Sequence, residues 1–202
     1  MALDDVTPVV LAGGQGTRLG GVNKALLDVG GRRVIERVLD ALLPLAPPDT
    51  AAVVVANDDA LARIPRVRIV RDVEPRAGAL VGLYSGLRAV ATPLAVAVAC
   101  DMPFLCTTLF RYLVSLAEGY DAVVPLLDEP EPLHAVYRTT CLPAVEAAVA
   151  SGRKRVISFF DAVRVRYVAE DELRRFDPEL RSFSNINTPD DLERARAIAS
   201  AS

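Results

Sequence analysis

The sequence predicts an α/β fold, a single Rossmann-like domain with an open, mostly parallel sheet and helices on both faces. Short apolar runs recur along the chain, and a polar or glycine-containing break follows each of them. Segments with helical spacing separate these runs. Because strands that are apolar throughout are typical of sheets covered on both faces, the alternation indicates parallel βα units. With 202 residues, 51% of them hydrophobic, the chain can bury one substantial core.

The first half of the chain carries the clearest alternation of strands and helices. The apolar runs predict strands at residues 9–11, 52–56, 67–70, 94–99 and 122–124. Helices are expected between them, at residues 34–45, 81–90 and 107–116.

After residue 125 the rhythm changes. The acidic, proline-rich string PLLDEPEP (125–132) predicts either a mobile surface loop near a site or a plain connector. Thr188 is a suitable cap for a final helix, since Pro189 suits a first helical position and acidic residues follow. The remaining elements are expected as a strand at 133–138, a helix at 142–150, a short helix at 156–162 and a strand at 164–168.

Composition excludes several classes of protein. The net charge is −3 and the charged residues are spread without long blocks, so the sequence offers no basic patch for nucleic acid. Three cysteines without a paired motif favour reduced thiols. Residues 1–7 carry two aspartates, which does not suit a secretory signal, and no apolar stretch reaches the roughly 18 residues of a membrane helix. We therefore expect a cytoplasmic protein that binds neither nucleic acid nor membrane.

The most informative segment is VVLAGGQGTRLGGVNKALL, residues 9–27. An apolar strand runs into Gly13, Gly14 and Gly16, where absent side chains let backbone amides cradle phosphates. Arg18 and Lys24 follow and suit contacts to a triphosphate. The Walker and dinucleotide motifs are both missing. An ordinary tight turn with two solvated cations is the alternative interpretation.

Polar side chains follow three of the predicted strands. Asp101 comes after the strand at 94–99, so it should lie at the same sheet edge as the glycine loop and suits Mg²⁺. The alternative is that Asp101 caps the next helix or binds loop amides. Asp72 and Asn57 end their strands in the same way, and each suits a nucleotide contact or a turn.

His134 is the only histidine in the chain. Without a second histidine or cysteine nearby, neither a metal site nor a catalytic triad is indicated. A structural or substrate-orienting role is expected.

The string LAGGQGTRLGGVNK (11–24) resembles the signature of the molybdenum cofactor guanylyltransferases. In related sugar nucleotidyltransferases the lysine usually lies further beyond the arginine, so this spacing favours the cofactor branch. The family often has Gly-Pro-Leu where this chain has Gly78-Ala79-Leu80, and methionine where it has Leu19. The resemblance continues through GALVGLYSGL (78–87), CDMPFL (100–105), PLHAVYR (132–138) and FSNINTPDDL (183–192).

The resemblance implies a fold of the nucleotide-diphospho-sugar transferase type, with a nucleotide-binding half at about 1–105 and an acceptor-binding half at about 106–202. It implies that Asn185 and Asn187 lie near the pterin or the reacting phosphate, or else that they hold the loop before the last helix. The implied catalytic residues are Arg18, Lys24 and Asp101, with Asp101 holding Mg²⁺. The implied nucleotide contacts are Leu11, Ala12, Gly13, Gly14, Gly16, Lys24, Asn57, Asp72 and Asp101.

The activity implied by the resemblance is magnesium-dependent transfer of GMP from GTP to molybdenum-molybdopterin, with release of pyrophosphate. One alternative is CMP transfer to the same pterin, or nucleotidyl transfer to another phosphorylated acceptor. Another class of protein is also open, a non-catalytic GTP-binding chaperone of molybdoenzyme maturation. Transient contact with other cofactor-biosynthesis proteins and with molybdoenzyme chaperones is a further expectation.

Overall fold

A seven-stranded sheet forms the centre of the protein, and a two-stranded hairpin accompanies it. The structure is a computed structural model that describes residues 6–13, 22–72 and 78–201. The strands are β1 (Val6–Leu11), β2 (Asp28–Val29), β3 (Arg32–Arg33), β4 (Ala52–Val55), β5 (Val67–Val70), β6 (Leu94–Ala99), β7 (Ala122–Leu126), β8 (His134–Arg138) and β9 (Val165–Ala169).

Six α-helices lie within the described ranges, together with short 3₁₀ turns. They are α1 (Val34–Leu42), α2 (Ala79–Arg88), α3 (Thr107–Ser115), α4 (Leu142–Ala150), α5 (Glu170–Arg174) and α6 (Pro189–Ser200). Among these helices none combines the length and the apolar character that crossing a bilayer requires.

The sheet is mostly parallel, as the sequence predicts. Its strands follow the order β5-β4-β1-β6-β8-β7-β9. β1 pairs in parallel with β4 and β6, and β7 pairs in parallel with β9, whereas β8 runs antiparallel to both of its neighbours. The carboxyl ends of β1, β4, β5 and β6 therefore meet at one edge, where ligands bind in open α/β sheets.

Side chains alternate between the two faces of the sheet and form a core on each. On β1, Val10 packs in a cluster with Phe110 of α3, while its neighbour Val9 packs on the other face with Leu83 of α2 and Val145 of α4. Successive strand residues point to opposite faces, so both faces of a central strand are apolar and both need a helical layer.

Helix α2 approaches β1 closely because glycines face the strand. A Cβ added at Gly86 would lie 2.5 Å from Cγ1 of Val9, and one added at Gly82 would lie 3.0 Å from Cδ2 of Leu11. These glycines are one helical turn apart and so lie on one side of the helix. The close approach brings the start of α2 to the sheet edge.

The structure corrects several predicted boundaries. The helix expected at 34–45 ends at Leu42 and continues as a 3₁₀ turn that contains Pro44, because proline lacks the N–H that an α-helix needs. β1 begins at Val6 and α2 at Ala79, both earlier than predicted. Helix α5 and the β2–β3 hairpin were not predicted. The segment 156–162 is a 3₁₀ helix.

The acidic proline-rich segment forms a tight turn between β7 and β8. The Glu131 N–H donates to the Pro125 carbonyl at 2.9 Å, and the Leu127 N–H donates to the Glu129 carbonyl at 3.2 Å. Leu126 and Pro130 form an isolated bridge across the turn. The segment is therefore closed by backbone hydrogen bonds.

The predicted start of the last helix is confirmed. Thr188 accepts a hydrogen bond from the Asp191 N–H at 3.2 Å, and the Asp191 carboxylate accepts one from the Thr188 N–H at 2.8 Å. This reciprocal pair is a capping box. Pro189 occupies the first helical position.

Candidate active site

A cleft of about 320 Å³ opens at the carboxyl ends of β1, β5 and β6. Its volume falls within the range of small-molecule sites. Backbone and side chains from several segments border it, including the start of α2 and the residue before β8. The lining residues are Leu11, Ala12, Gly13, Asn23, Lys24, Ala25, Val55, Asp72, Gly78, Ala79, Gly82, Ala99, Cys100, Asp101 and Leu133.

Lys24 links two of the predicted functional residues. Its ammonium Nζ lies 3.0 Å from Oδ2 of Asp101 and 2.5 Å from Oδ1 of Asn187. The side chains of Lys24 and Asp101 are 17% and 21% exposed, so solvent screens this ion pair only in part. Asp101 does not cap α3, whose N-cap is Cys106. The structure therefore excludes the alternative that Asp101 caps this helix.

Local hydrogen bonds hold the segments that carry Lys24 and Asn187 in place. Asn23 accepts a hydrogen bond from the Ala25 N–H at 3.0 Å and so caps the 3₁₀ helix Lys24–Leu26. The Asp191 carboxylate accepts from the Asn187 N–H at 3.0 Å. Hydrogen bonds from Thr188 and Asn187 lower the pKa of Asp191 to about 2. A carboxylate ionised at neutral pH therefore orients the backbone of Asn187.

The oxygens around Lys24 fit a hard cation. Mg²⁺ prefers oxygen ligands and commonly takes one or two carboxylates together with phosphate oxygens and water. The Asp101 carboxylate and the Asn187 amide oxygen already hold one cation, the Lys24 ammonium. Within the described ranges no three His, Cys, Asp or Glu side chains cluster as a metal site. A divalent ion held by the two oxygens would also need phosphate oxygens or water as ligands.

Asp72 follows β5 and Asp101 follows β6, so the two carboxylates come from strands on opposite sides of β1. Oδ1 of Asp72 accepts a hydrogen bond from the Ser85 hydroxyl at 3.3 Å. Burial raises the pKa of Asp72, and the bond from Ser85 offsets part of that rise. A Cβ added at Gly13 would lie 3.4 Å from its Oδ2. The carboxylate can accept hydrogen bonds from a ribose hydroxyl or from base N–H groups.

Gly78 lines the cleft at the start of α2, as Gly13 does after β1. It is the N-cap of α2 and has φ +113°, a conformation that other residues rarely adopt. The next residue, Ala79, stands at the first helical position, where the family's proline would be equally suited. The change from proline to Ala79 therefore leaves the start of the helix intact.

Of the residues that the resemblance implies as nucleotide contacts, the structure brings together Leu11, Ala12, Gly13, Lys24, Asp72 and Asp101, which all line the cleft. Three further predicted residues, Gly14, Gly16 and Arg18, lie outside the described residues.

Two other predicted residues lie elsewhere. Asn57 follows β4 but is exposed, and it does not line the cleft. Asn185 lines a second cleft of about 300 Å³ between Phe104 and helix α6. Asn187 contacts Lys24, which lines the first cleft, so the two asparagines of the NINTP string lie near different clefts. The Ile186 N–H donates to the Asp101 carbonyl at 2.9 Å and joins the two clefts.

His134 is a buried core residue. Its ring lies between Phe110 and Phe183, with centroid distances of 4.4 and 4.2 Å. Among the described residues neither ring nitrogen has a hydrogen-bond partner. Burial lowers the pKa of His134 to about 3, so the ring is neutral. The structural role is favoured over substrate orientation.

Asn23 and Asp58 were not predicted as site residues, although Asn23 lines the cleft and Asp58 contacts Asn23. The Asn23 Nδ2 donates to Oδ2 of Asp58 at 2.7 Å. Asn23 precedes the signature lysine, and Asp58 follows the end of β4, which are the signals that could have indicated them.

In open α/β sheets ligands bind at the carboxyl ends of the strands, and a lysine placed there, as Lys24 is, can bind the phosphate groups of a ligand. Residues 8–166 match the model of the MobA-like NTP transferase domain. The chain therefore belongs to the MobA-like NTP transferase family and is a nucleotidyltransferase.

Individual relatives match over nearly their full length. A protein of Pelotomaculum thermopropionicum named "probable molybdenum cofactor guanylyltransferase" is 38% identical, covering 96% of this chain and 93% of its own length. The molybdenum cofactor guanylyltransferase of Desulfosudis oleivorans is 37% identical, covering 98% of each.

A solved structure matches in the same way. The molybdopterin-guanine dinucleotide biosynthesis protein A of Archaeoglobus fulgidus has a TM-score of 0.83 and 33% identity, covering 97% of this chain and 100% of that one. The structural neighbours confirm the nucleotide-diphospho-sugar transferase fold.

Proposed function

We propose that this protein transfers GMP from GTP to molybdenum-loaded molybdopterin, forming the guanine dinucleotide cofactor and releasing pyrophosphate. The single observation that carries the proposal is the hydrogen-bonded group Lys24–Asp101–Asn187, of which Lys24 and Asp101 line the cleft. Its members come from three of the strings that resemble the guanylyltransferases. The names of the near full-length relatives support the same acceptor and the same base.

In the proposed reaction, a phosphate oxygen of molybdopterin attacks the α-phosphorus of GTP. The bond from the α-phosphorus to the oxygen that bridges to the β-phosphate breaks, and pyrophosphate leaves with the bonding electrons. No covalent intermediate with the protein is needed. The chain would accelerate the reaction by positioning the two substrates and by neutralising charge.

Lys24 would change partners when the nucleotide binds. In the structure its ammonium is held by Asp101 and Asn187. A triphosphate offers that ammonium stronger charge complementarity, and its release would free Asp101 for a metal. Asp101 would hold Mg²⁺, which supplies charge neutralisation at the phosphates when it is bound. Arg18 and the amides at Gly13, Gly14 and Gly16 would hold the phosphates.

Leu11 and Ala12 would contact the nucleotide, and Asp72 and Asn57 would lie on its base and ribose side. The half-buried carboxylate of Asp72 supports this placement for one of the two. Asn57 is exposed and does not line the cleft, so it would reach the nucleotide only outside the cleft.

The acceptor would approach from the side of the second cleft. Asn185 lines that cleft and Asn187 contacts Lys24, while one backbone hydrogen bond from Ile186 to Asp101 connects them. A pterin bound there would present its phosphate toward Asp101. Residues 1–105 would thus supply most nucleotide contacts, and residues 106–202 most acceptor contacts.

We place the reaction in the cytoplasm. The support is that Cys100, Cys106 and Cys141 are free thiols, which suits a reducing compartment. Transient contact with other cofactor-biosynthesis proteins and molybdoenzyme chaperones would hand on the product.

The test is pyrophosphate release from the purified protein with Mg²⁺ and molybdenum-loaded molybdopterin, with GTP, CTP, ATP and UTP in separate reactions. Release with GTP alone is expected. Release with CTP would indicate CMP transfer, and GTP binding without release from any nucleotide would indicate a non-catalytic chaperone.

Two variants make this test specific to the site. Asp101→Asn keeps the size of the side chain but removes its charge, and it should abolish magnesium-dependent release. Asp49→Asn removes an exposed carboxylate away from the cleft lining and serves as the matched control. Full turnover in Asp101→Asn would contradict the assignment.

A further inference from the structure

Asn23 and Asp58 form a matched pair of hydrogen-bonding side chains beside the cleft. Nδ2 of Asn23 donates to Oδ2 of Asp58 at 2.7 Å, while Oδ1 of Asn23 accepts from the Ala25 N–H at 3.0 Å. The second oxygen of Asp58, Oδ1, accepts from the Ala60 N–H at 2.9 Å. All three hydrogen bonds can form together only because one side chain is an amide and the other is a carboxylate.

The pair anchors the turn that carries Lys24. The 3₁₀ helix Lys24–Leu26 has only three residues, and so short a helix needs support from outside itself. Asn23 caps it, and Asp58 holds Asn23 from the N-terminus of the next 3₁₀ turn after β4. Hydrogen bonds from Asn23 and Ala60 lower the pKa of Asp58, so it is a carboxylate at neutral pH.

We propose that Asp58 is a positioning residue, which acts through Asn23 to set where the Lys24 ammonium meets Asp101, Asn187 and the substrate phosphates. Its effect on catalysis rests on the proposed function. Its effect on the placement of Lys24 in the free protein does not, because that placement is a property of the chain alone.

Exchange of the two side chains gives a sharp test. Asp58→Asn leaves two amides facing each other, and Asn23→Asp leaves two carboxylates facing each other, so each single variant loses the matched set. In the double variant Asn23→Asp/Asp58→Asn, the amide introduced at position 58 donates to the carboxylate introduced at position 23. Both backbone N–H groups then keep an oxygen acceptor, and the net charge is unchanged. Asp58→Ala removes the carboxylate altogether, and Asp49→Ala is the control variant.

The placement of Lys24 can be measured without any nucleotide. The chain has only two lysines, Lys24 and Lys154, so the rate of acylation of each by an N-hydroxysuccinimide acetate follows from peptide mass spectrometry. Lys24 is 17% exposed and ion-paired, whereas Lys154 is exposed and serves as the internal reference. GTP affinity and the separate values of KM and kcat are then measured on the same proteins.

Asp58→Ala and both single exchanges should raise the Lys24 to Lys154 acylation ratio by about 3- to 10-fold, the range expected for losing one hydrogen bond of typical net strength. GTP affinity should fall by a similar factor. The exchanged double variant should return to within about twofold of the original protein, and Asp49→Ala should change neither quantity.

An unchanged acylation ratio in Asp58→Ala would overturn the proposal, even if thermal unfolding showed a loss of stability, because the residue would then be structural only. An exchanged variant no better than its parents would overturn it too. If the original protein failed to bind GTP, the proposed function would fall, while the acylation ratios would still decide the role of Asp58.

Discussion

Two residues show how burial and pairing set chemical roles in this protein. His134 is fully buried between two phenylalanine rings and is held neutral. Lys24 is largely buried too, but Asp101 and Asn187 compensate its charge. Burial disfavours the protonated, charged form of His134. The charge of Lys24 is instead stabilised by its partners, and the phosphates of a ligand could replace those partners.

The stability of the protein should depend on pH through His134. The pKa of His134 is about 3 in the folded protein and near 6.5 when unfolded. The unfolded state therefore binds a proton that the folded state refuses between these values, so stability falls as the pH drops below 6.5. Between pH 7 and pH 5 this one group should reduce the free energy of unfolding by about 2 kcal/mol.

Urea unfolding of the original protein and of His134→Leu at pH 7, 6 and 5 isolates this contribution, since all other titrating groups are shared. The difference in stability between the two proteins should change with pH by the stated amount. Parallel pH profiles would show that His134 is not the cause.

Lys24→Met should lower kcat/KM for GTP by about 10²- to 10³-fold, the usual effect of removing one preorganised charge from a reacting phosphate. Methionine keeps the apolar stem and removes the ammonium. The measurement is steady-state pyrophosphate release, with circular dichroism to confirm folding. Unaltered kcat/KM in a folded variant would exclude Lys24 from the reaction.

At the scale of elements, the glycines of α2 determine how closely the helix packs on β1. Gly86 faces Val9 and Gly82 faces Leu11. A methyl group at position 86 would fit only if Val9 or the helix moved. Interiors packed at crystal-like density transmit such an addition to their neighbours.

Gly86→Ala should destabilise the protein by about 1–3 kcal/mol through overpacking against Val9. The gain in helix propensity from alanine, up to about 1 kcal/mol, offsets part of this. Chemical denaturation measures both the variant and its intended rescue, Val9→Ala/Gly86→Ala, in which the clashing Cγ1 is removed. The two changes should be strongly non-additive, and simple additivity would contradict the packing argument.

At the scale of the whole molecule, the site exists only in the folded chain. Lys24 is 77 residues from Asp101 and 163 from Asn187 along the sequence, yet all three meet at one sheet edge. Because no short segment contains them, ligand binding and global folding are linked.

GTP with Mg²⁺ at about 100 times its Kd should therefore raise the free energy of unfolding by about 2.7 kcal/mol. For a chain of this size, that corresponds to a rise in Tm of roughly 5–10 °C. Differential scanning fluorimetry with GTP and with CTP at equal concentration measures the shift. An equal shift with CTP would contradict guanine selectivity.

Local features of the chain were enough to predict the strands of the seven-stranded sheet, most helices and the segments that border the cleft, because apolar periodicity, caps and the glycine signature are read from neighbouring residues. They did not reveal α5, whose five residues span little more than one helical turn, or the β2–β3 hairpin, whose strands have two residues each, because so few residues carry little periodic signal. The folded structure was needed to show that Lys24 contacts Asn187, that Asn185 faces a second cleft, and that Asp58 supports Asn23. These contacts join segments far apart in the chain, so only the packing of helices on the sheet brings their atoms within hydrogen-bonding distance.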